Sequence, residues 1–142
     1  MFKYILTSAV VAISLNAQIL ITKQYIKETP PNAKNSAAFM SIENQDSKDI
    51  ELVSASSNVS KVSELHTHIT QDGMKQMIQI PSIKIPANSK VDLKPGGLHI
   101  MLIGLNKDIN NQNVDLNLTF SNGKTYELKA IPVKKVVPIK MH

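Results

Sequence analysis

Apolar residues in this chain recur at every second position, in short runs separated by turn-forming residues. In "VDLNLTF", 114–120, Val114, Leu116, Leu118 and Phe120 share one parity, and Asp115, Asn117 and Thr119 share the other. A period of two marks a half-buried strand, because successive side chains point to opposite faces of a sheet. The same reading gives strands at 36–44, 50–56, 61–69, 74–80 and 97–105, short ones in "SIKIP" and "KVDLKP", and a last one at 124–133. Turn residues separate them at Asp72-Gly73, Ala87-Asn88-Ser89, Pro95-Gly96-Gly97 and Ser121-Asn122-Gly123. "KETPPNAKNS", 27–36, reads as a proline-containing loop. Short strands broken every ~8–12 residues predict an all-β fold, an antiparallel sandwich or barrel.

The N-terminal segment departs from that pattern. Lys3 is followed by an apolar run from Tyr4 to Leu15, which has the length of a secretory h-region and is too short to span a bilayer. "SLNAQ" offers a cleavage site after Ala17. Residues 1–17 are therefore expected to be a signal peptide, 18–133 one domain and 134–142 a flexible Lys/Met/His tail. An uncleaved membrane anchor is the alternative for the first segment. Membrane contact is expected through that segment alone.

Composition narrows the classes. The net charge of +5 sets 16 basic residues, all of them Lys, against 11 acidic ones. Proteins that read nucleic acid use Arg for bidentate contacts and aromatic rings for stacking. Arg is absent here and aromatics are 4%, so a nucleic-acid partner is not expected. Cysteine is absent as well. That removes disulfides, thiol redox chemistry, a lipid-modified Cys and any thiolate metal site within these residues.

The remaining soft donors are gathered in two places. Of four His, three lie at 66, 68 and 99; of the five Met after the first segment, 74, 77 and 101 lie beside them, with Met40, Met141 and His142 elsewhere. In "GGLHIML", 96–102, Leu98, Ile100 and Leu102 take one face of a strand, and His99 and Met101 take the other. A two-residue turn at Asp72-Gly73 would pair residues whose numbers sum to 145, placing His68 opposite Met77, with His66 on the same face. Leu65, Thr67, Ile69, Ile78 and Ile80 are then the core candidates of that hairpin.

Taken singly, each of these has an ordinary reading. A lone His on a strand commonly makes a hydrogen bond, and a lone Met commonly fills a gap in the core. Met40 is expected in the core or at its rim, and Met74 beside the turn is expected to be exposed. Taken together they form a donor set without thiolate or carboxylate. Thioether sulfur binds Cu(I) well and hard divalent ions poorly, and imidazole binds both Cu(I) and Cu(II). The set selects Cu(I), with Cu(II) as a secondary ion. Blue-copper electron transfer needs a Cys and is excluded.

The spacing His66, ten residues, Met77, twenty-one residues, His99, one residue, Met101 resembles the H-x10-M-x21-H-x-M pattern of the periplasmic copper chaperones called PCuAC. "ETPPNAKNSAAFMSIEN", "ELHTHITQDGMKQM", "IPANSKVDLKPGGLHIMLIGL" and "DLNLTFSNG" carry the likeness across residues 22–133. The resemblance implies a cupredoxin-like Greek-key β-sandwich that binds Cu(I) through His66, Met77, His99 and Met101. It implies a periplasmic, monomeric, non-enzymatic carrier that passes copper by ligand exchange. Delivery would be toward the copper A site in the copper-bearing subunit of cytochrome c oxidase, alongside Sco-type thiol chaperones. Where many members have Met two residues after the first His, this chain has His68; where many have a Trp-x-Arg pair, it has Tyr25 and Lys27. His68, Met141 and His142 are possible auxiliary ligands. Three other classes stay open: copper buffering or resistance without a dedicated client, a zinc hydrolase built on His66, His68 and His99 with Glu64 as base, and a sandwich adhesion module with no metal.

Overall fold

The computed structural model describes residues 18–106 and 108–136. The strands are β1 (Ile19–Lys27), β2 (Asn35–Asn44), β3 (Ile50–Ser57), β4 (Ser60–Gln71), β5 (Met74–Gln79), β6 (Ile83–Ile85), β7 (Ser89–Leu93), β8 (His99–Leu105), β9 (Val114–Phe120), β10 (Thr125–Ile131) and β11 (Val133–Lys134). They form two sheets. One has the order β11-β1-β2-β8-β4-β5, with β7 also paired to β2, and the other has the order β10-β9-β3-β6. The chain passes repeatedly between the sheets, so strands close in sequence often lie in different layers.

Alternation explains the layering. In β9 the four apolar side chains are buried and the polar ones between them are partly exposed. Leu116, Leu118 and Phe120 pack with Leu52 of β3, Ile100 and Leu102 of β8, and Ala38, Met40 and Ile42 of β2 in one core between the sheets. Met40 is thus a core residue, and Met74, at 67% exposure, is a surface one. Burying side chains of this size contributes about 1.5–3 kcal/mol each.

β2 and β8 depart from the simple pattern because both of their faces are covered. Ser36 through Ile42 are all buried, as are His99 and Ile100. One parity of each strand feeds the core; on the other, Ala37, Phe39, His99 and Met101 line a cleft together with Pro30 and Ala33 of the loop after β1.

Asn44, fully buried at the end of β2, links the layers. Its Nδ2 donates to the carbonyls of Lys48 at 2.8 Å and of Ile85, at the end of β6, at 3.0 Å. Its Oδ1 accepts from the Asp46 amide.

The predicted strands appear with small shifts of boundary, and four features correct the sequence reading. β1 is a full strand that the hydrophobic pattern does not predict. Its alternation is interrupted at Lys23, which has φ +58°, and the register with β2 shifts between Thr22 and Tyr25. Ile19 and Ile26, on opposite parities, therefore both reach the core. β1 pairs with β11 in parallel, so the sandwich is not purely antiparallel, and β11 takes in Lys134, the first residue of the expected tail. A short 3-10 turn at Ile109–Asn111, capped by Asp108, is also absent from the sequence reading. Finally, Ile69 is 36% exposed and not a core residue, while Thr67, Ile78 and Ile80 are only half-buried. The tip of the β4–β5 hairpin is exposed on both faces from Ile69 to Met77.

The expected signal peptide, and Met141 and His142, lie outside the described residues. Among those described, no helix is long and apolar enough to cross a membrane.

Candidate metal centre

Strand register decides which side chains meet. Asp72 and Gly73 have φ of +53° and +78°, the two-residue turn whose twist suits a hairpin. It sets Gln71 opposite Met74, His68 opposite Met77 and His66 opposite Gln79, the predicted register. On its other edge β4 pairs with β8, so that His66 faces His99, Leu65 faces Ile100 and Glu64 faces Met101. Leu65 and Ile100 enter the core. Their neighbours on both strands must then point to the outer face. β2 adds Ala37 opposite Met101, and the Phe39 ring lies 6.2 Å from that of His99.

His68, Met77, His99 and Met101 line a cleft of about 460 Å³, with Pro30 and Ala33 of the loop after β1 and Pro95 and Gly96 of the turn before β8. His66 is not among the lining side chains. It sits beside them, 9% exposed, with its ring centroid 5.7 Å from that of His99. Met77 is 43% exposed and marks the open side.

"KPGG" prepares the imidazoles. Lys94 to Gly97 form a tight turn in which the Gly97 amide donates to the Lys94 carbonyl at 3.0 Å. Pro95 takes the position that favours a fixed negative φ, and Gly96 takes φ +84°, the pattern of a type II turn. The turn presents the Gly97 carbonyl to two rings at once. Nδ1 of His99 lies 2.9 Å from it and Nδ1 of His68 lies 3.3 Å from it. A carbonyl oxygen only accepts, so both Nδ1 atoms carry the proton. In a neutral ring Nε2 is then the free lone pair.

His99 Nε2 lies 3.1 Å from Sδ of Met77. Burial holds the His99 imidazole below its ordinary pKa; the Gly97 hydrogen bond opposes that shift, and the neighbouring His68 and His66 rings add to it. The ring is therefore neutral near pH 7, and two acceptors face each other with no proton between them. A soft cation bound by both atoms removes that conflict. Nitrogen and thioether donors without thiolate fit monovalent copper. Among the described residues, no three His, Cys, Asp or Glu side chains are arranged to hold a metal by themselves. The zinc hydrolase alternative therefore has no such cluster among the described residues.

Two contributors are not part of the copper site read from the sequence. The Gly97 carbonyl is legible there only as part of a turn. Glu64 is named there only as the base of a zinc hydrolase, and the copper donor set read from the sequence has no carboxylate. In the structure Glu64 Oε1 is 2.9 Å from Nε2 of His66. The signal is the two-residue spacing on one strand, which puts both side chains on one face.

Comparison with known proteins gives the family and the fold. Residues 19–133 match the family described as "Putative lipoprotein LpqE-like". "Putative lipoprotein Lxx21020" of Leifsonia xyli subsp. xyli is 34% identical over 118 residues, covering 82% of this chain and 69% of the relative. "Uncharacterized protein RP573" of Rickettsia prowazekii is 35% identical over 77 residues, 54% of this chain and 42% of that one. Among solved structures, Cu(I)-bound DR1885 from Deinococcus radiodurans superposes with a TM-score of 0.66 at 30% identity, covering 89% of this chain and 87% of that one. The copper-bound PCuAC domain of PmoF2 gives a TM-score of 0.68 at 17% identity, covering 82% of this chain and 92% of that domain, a likeness of fold.

Proposed function

The chain belongs to the LpqE-like family of copper-binding PCuAC proteins, and from that premise we propose that it carries Cu(I) on His66, Met77, His99 and Met101. One observation carries the reading: the Nε2 lone pair of His99 and the Met77 sulfur stand 3.1 Å apart at the wall of an open cleft. Both imidazole and thioether are uncharged, so the ion is held by soft coordination and can leave to a stronger ligand. Copper is cargo in this scheme. A partner thiolate enters on the exposed Met77 side, a mixed-ligand intermediate forms, and transfer runs downhill toward sulfur anions.

Family likeness supports the periplasm as the place and the copper A site of cytochrome c oxidase, with Sco-type thiol proteins, as the client system. The expected signal segment and the lipoprotein names of relatives support export. X-ray absorption of the copper-loaded protein tests the ligand set: two sulfur and two nitrogen neighbours are expected, and a shell without sulfur refutes it. Deletion of the protein should lower oxidase activity at low copper; sensitivity at high copper alone would assign buffering instead.

A further inference from the structure

We infer that Glu64 is a positioning residue: its carboxylate holds the proton of His66 on Nε2 and so reserves Nδ1 of that ring for copper. The inference rests on the proposed copper site, and it concerns how one of its ligands is prepared.

Glu64 Oε1 and His66 Nε2 are 2.9 Å apart. An ionised carboxylate only accepts, so Nε2 is the donor. Nδ1 of His66 is buried and has no hydrogen-bond partner. A buried polar atom without a partner is costly and calls for an explanation. Here it is a nitrogen lone pair kept free of both proton and hydrogen bond, on a ring directly across from His99. The two imidazoles are thus prepared in opposite senses. The Gly97 carbonyl frees Nε2 of His99, and the Glu64 carboxylate frees Nδ1 of His66.

Register makes Glu64 a neighbour of the site twice over. It is two residues from His66 on the same face of β4, and it lies directly across from Met101 on β8. Its side chain is 28% exposed, so its charge is partly shielded from water. A carboxylate on the far nitrogen of a metal-binding imidazole fixes the ring and raises its basicity. The same charge offsets that of a monovalent ion held by four neutral donors.

The test uses the full chain with Glu64→Ala and Glu64→Gln. Long-range 1H–15N spectra of the apo protein report the tautomer of His66 without copper. The wild type should show a protonated Nε2. Glu64→Ala should lose that preference, while Glu64→Gln, whose side-chain oxygen still accepts, should keep it. Cu(I) affinity, read by competition with a chelator, should fall about 10–100-fold in Glu64→Ala and less in Glu64→Gln. An unchanged tautomer in Glu64→Ala, or Cu(I) affinity within about twofold of wild type, overturns the inference. If Met77→Ala with Met101→Ala abolishes Cu(I) binding while Glu64→Ala leaves the tautomer unchanged, the copper site stands and this role for Glu64 falls. If the wild type binds no Cu(I), the copper reading falls and the inference falls with it.

Discussion

Nε2 of His99 and Sδ of Met77 lie 3.1 Å apart on strands that are not bonded to each other. β4 separates β8 from β5, and its His68 stands directly opposite Met77. The contact therefore depends on two registers at once, β5 on β4 and β4 on β8. Removing the sulfur should disable copper binding without disturbing the core, since Met77 is 43% exposed and Met101 faces away from it. Met77→Ala with Met101→Ala should weaken Cu(I) binding by more than the roughly 10–100-fold that loss of an outer-shell partner costs. Chelator competition measures it, with the circular dichroism spectrum unchanged. Affinity equal to wild type would refute the site.

Acid should act on the same ring. Burial lowers the pKa of His99 in the folded state, so in mild acid the unfolded chain binds a proton that the native chain refuses. Stability then rises with pH across that interval. As pH falls through the ordinary His value of about 6.5, apo stability should decline, and this slope should end once pH is below the folded-state value. Asp92, held low by the Ser41 hydroxyl, and Asp49, held low by the Ala87 amide, act in the more acidic carboxylate range and do not produce this slope. Urea midpoints between pH 5 and 7.5 measure it, and His99→Gln should flatten the curve. An identical slope in that variant would show that another group is responsible.

The turn before β8 should matter more than its distance from the metal suggests. Gly96 has φ +84°, and a methyl group on its Cα would project into open space, so Gly96→Ala meets backbone strain of roughly 1–2 kcal/mol and no clash. The strain falls one residue before the carbonyl that Gly97 offers to His68 and His99. Cu(I) affinity should drop severalfold, and the Nδ1 proton signals of both rings should broaden or shift. Unchanged signals would show that the carbonyl does not hold the rings.

The register of the β4–β5 hairpin was legible because Asp72-Gly73 admits one tight turn, and that turn fixes every pair behind it. The split of β8 into core and outer faces was legible because Ile100 and Leu102 alternate with His99 and Met101. β1 was not legible, because the bulge at Lys23 puts Ile19 and Ile26 on opposite parities and destroys the period that marks a strand. The Glu64–His66 contact was half legible: strand parity gives a shared face, but the choice of nitrogen depends on burial of Nδ1, which only the packed structure reveals. Ile69 misled because alternation reports the face of a strand and not whether anything covers that face.

Asn44 should prove a stability residue with no part in copper binding. Asn44→Ala leaves the Ile85 and Lys48 carbonyls and the Asp46 amide without their side-chain partner. Stranding buried groups costs about 1–3 kcal/mol. The urea midpoint should fall, while the Cu(I) affinity of the folded fraction stays at the wild-type value. A matched loss of affinity would mean that the latch between the sheets also sets the metal site.

His68 is the position at which the oxidation state of the cargo is open to change. Its ring centroid is 5.4 Å from that of His99, its Nδ1 is tied to the same carbonyl, and its side chain lines the cleft. Its free nitrogen is therefore Nε2, a harder donor than the thioethers Met77 and Met101 on the same wall. Replacing it by Met removes an imidazole and adds a soft sulfur. His68→Met should hold or strengthen Cu(I) binding and weaken Cu(II) binding, because imidazole serves both ions whereas thioether favours the monovalent one. Paired Cu(I) and Cu(II) titrations, with electron paramagnetic resonance of the Cu(II) form, separate the two effects. Equal changes in both affinities would show that His68 stands beside the ion without touching it, leaving the Gly97 carbonyl as its only role in the cleft.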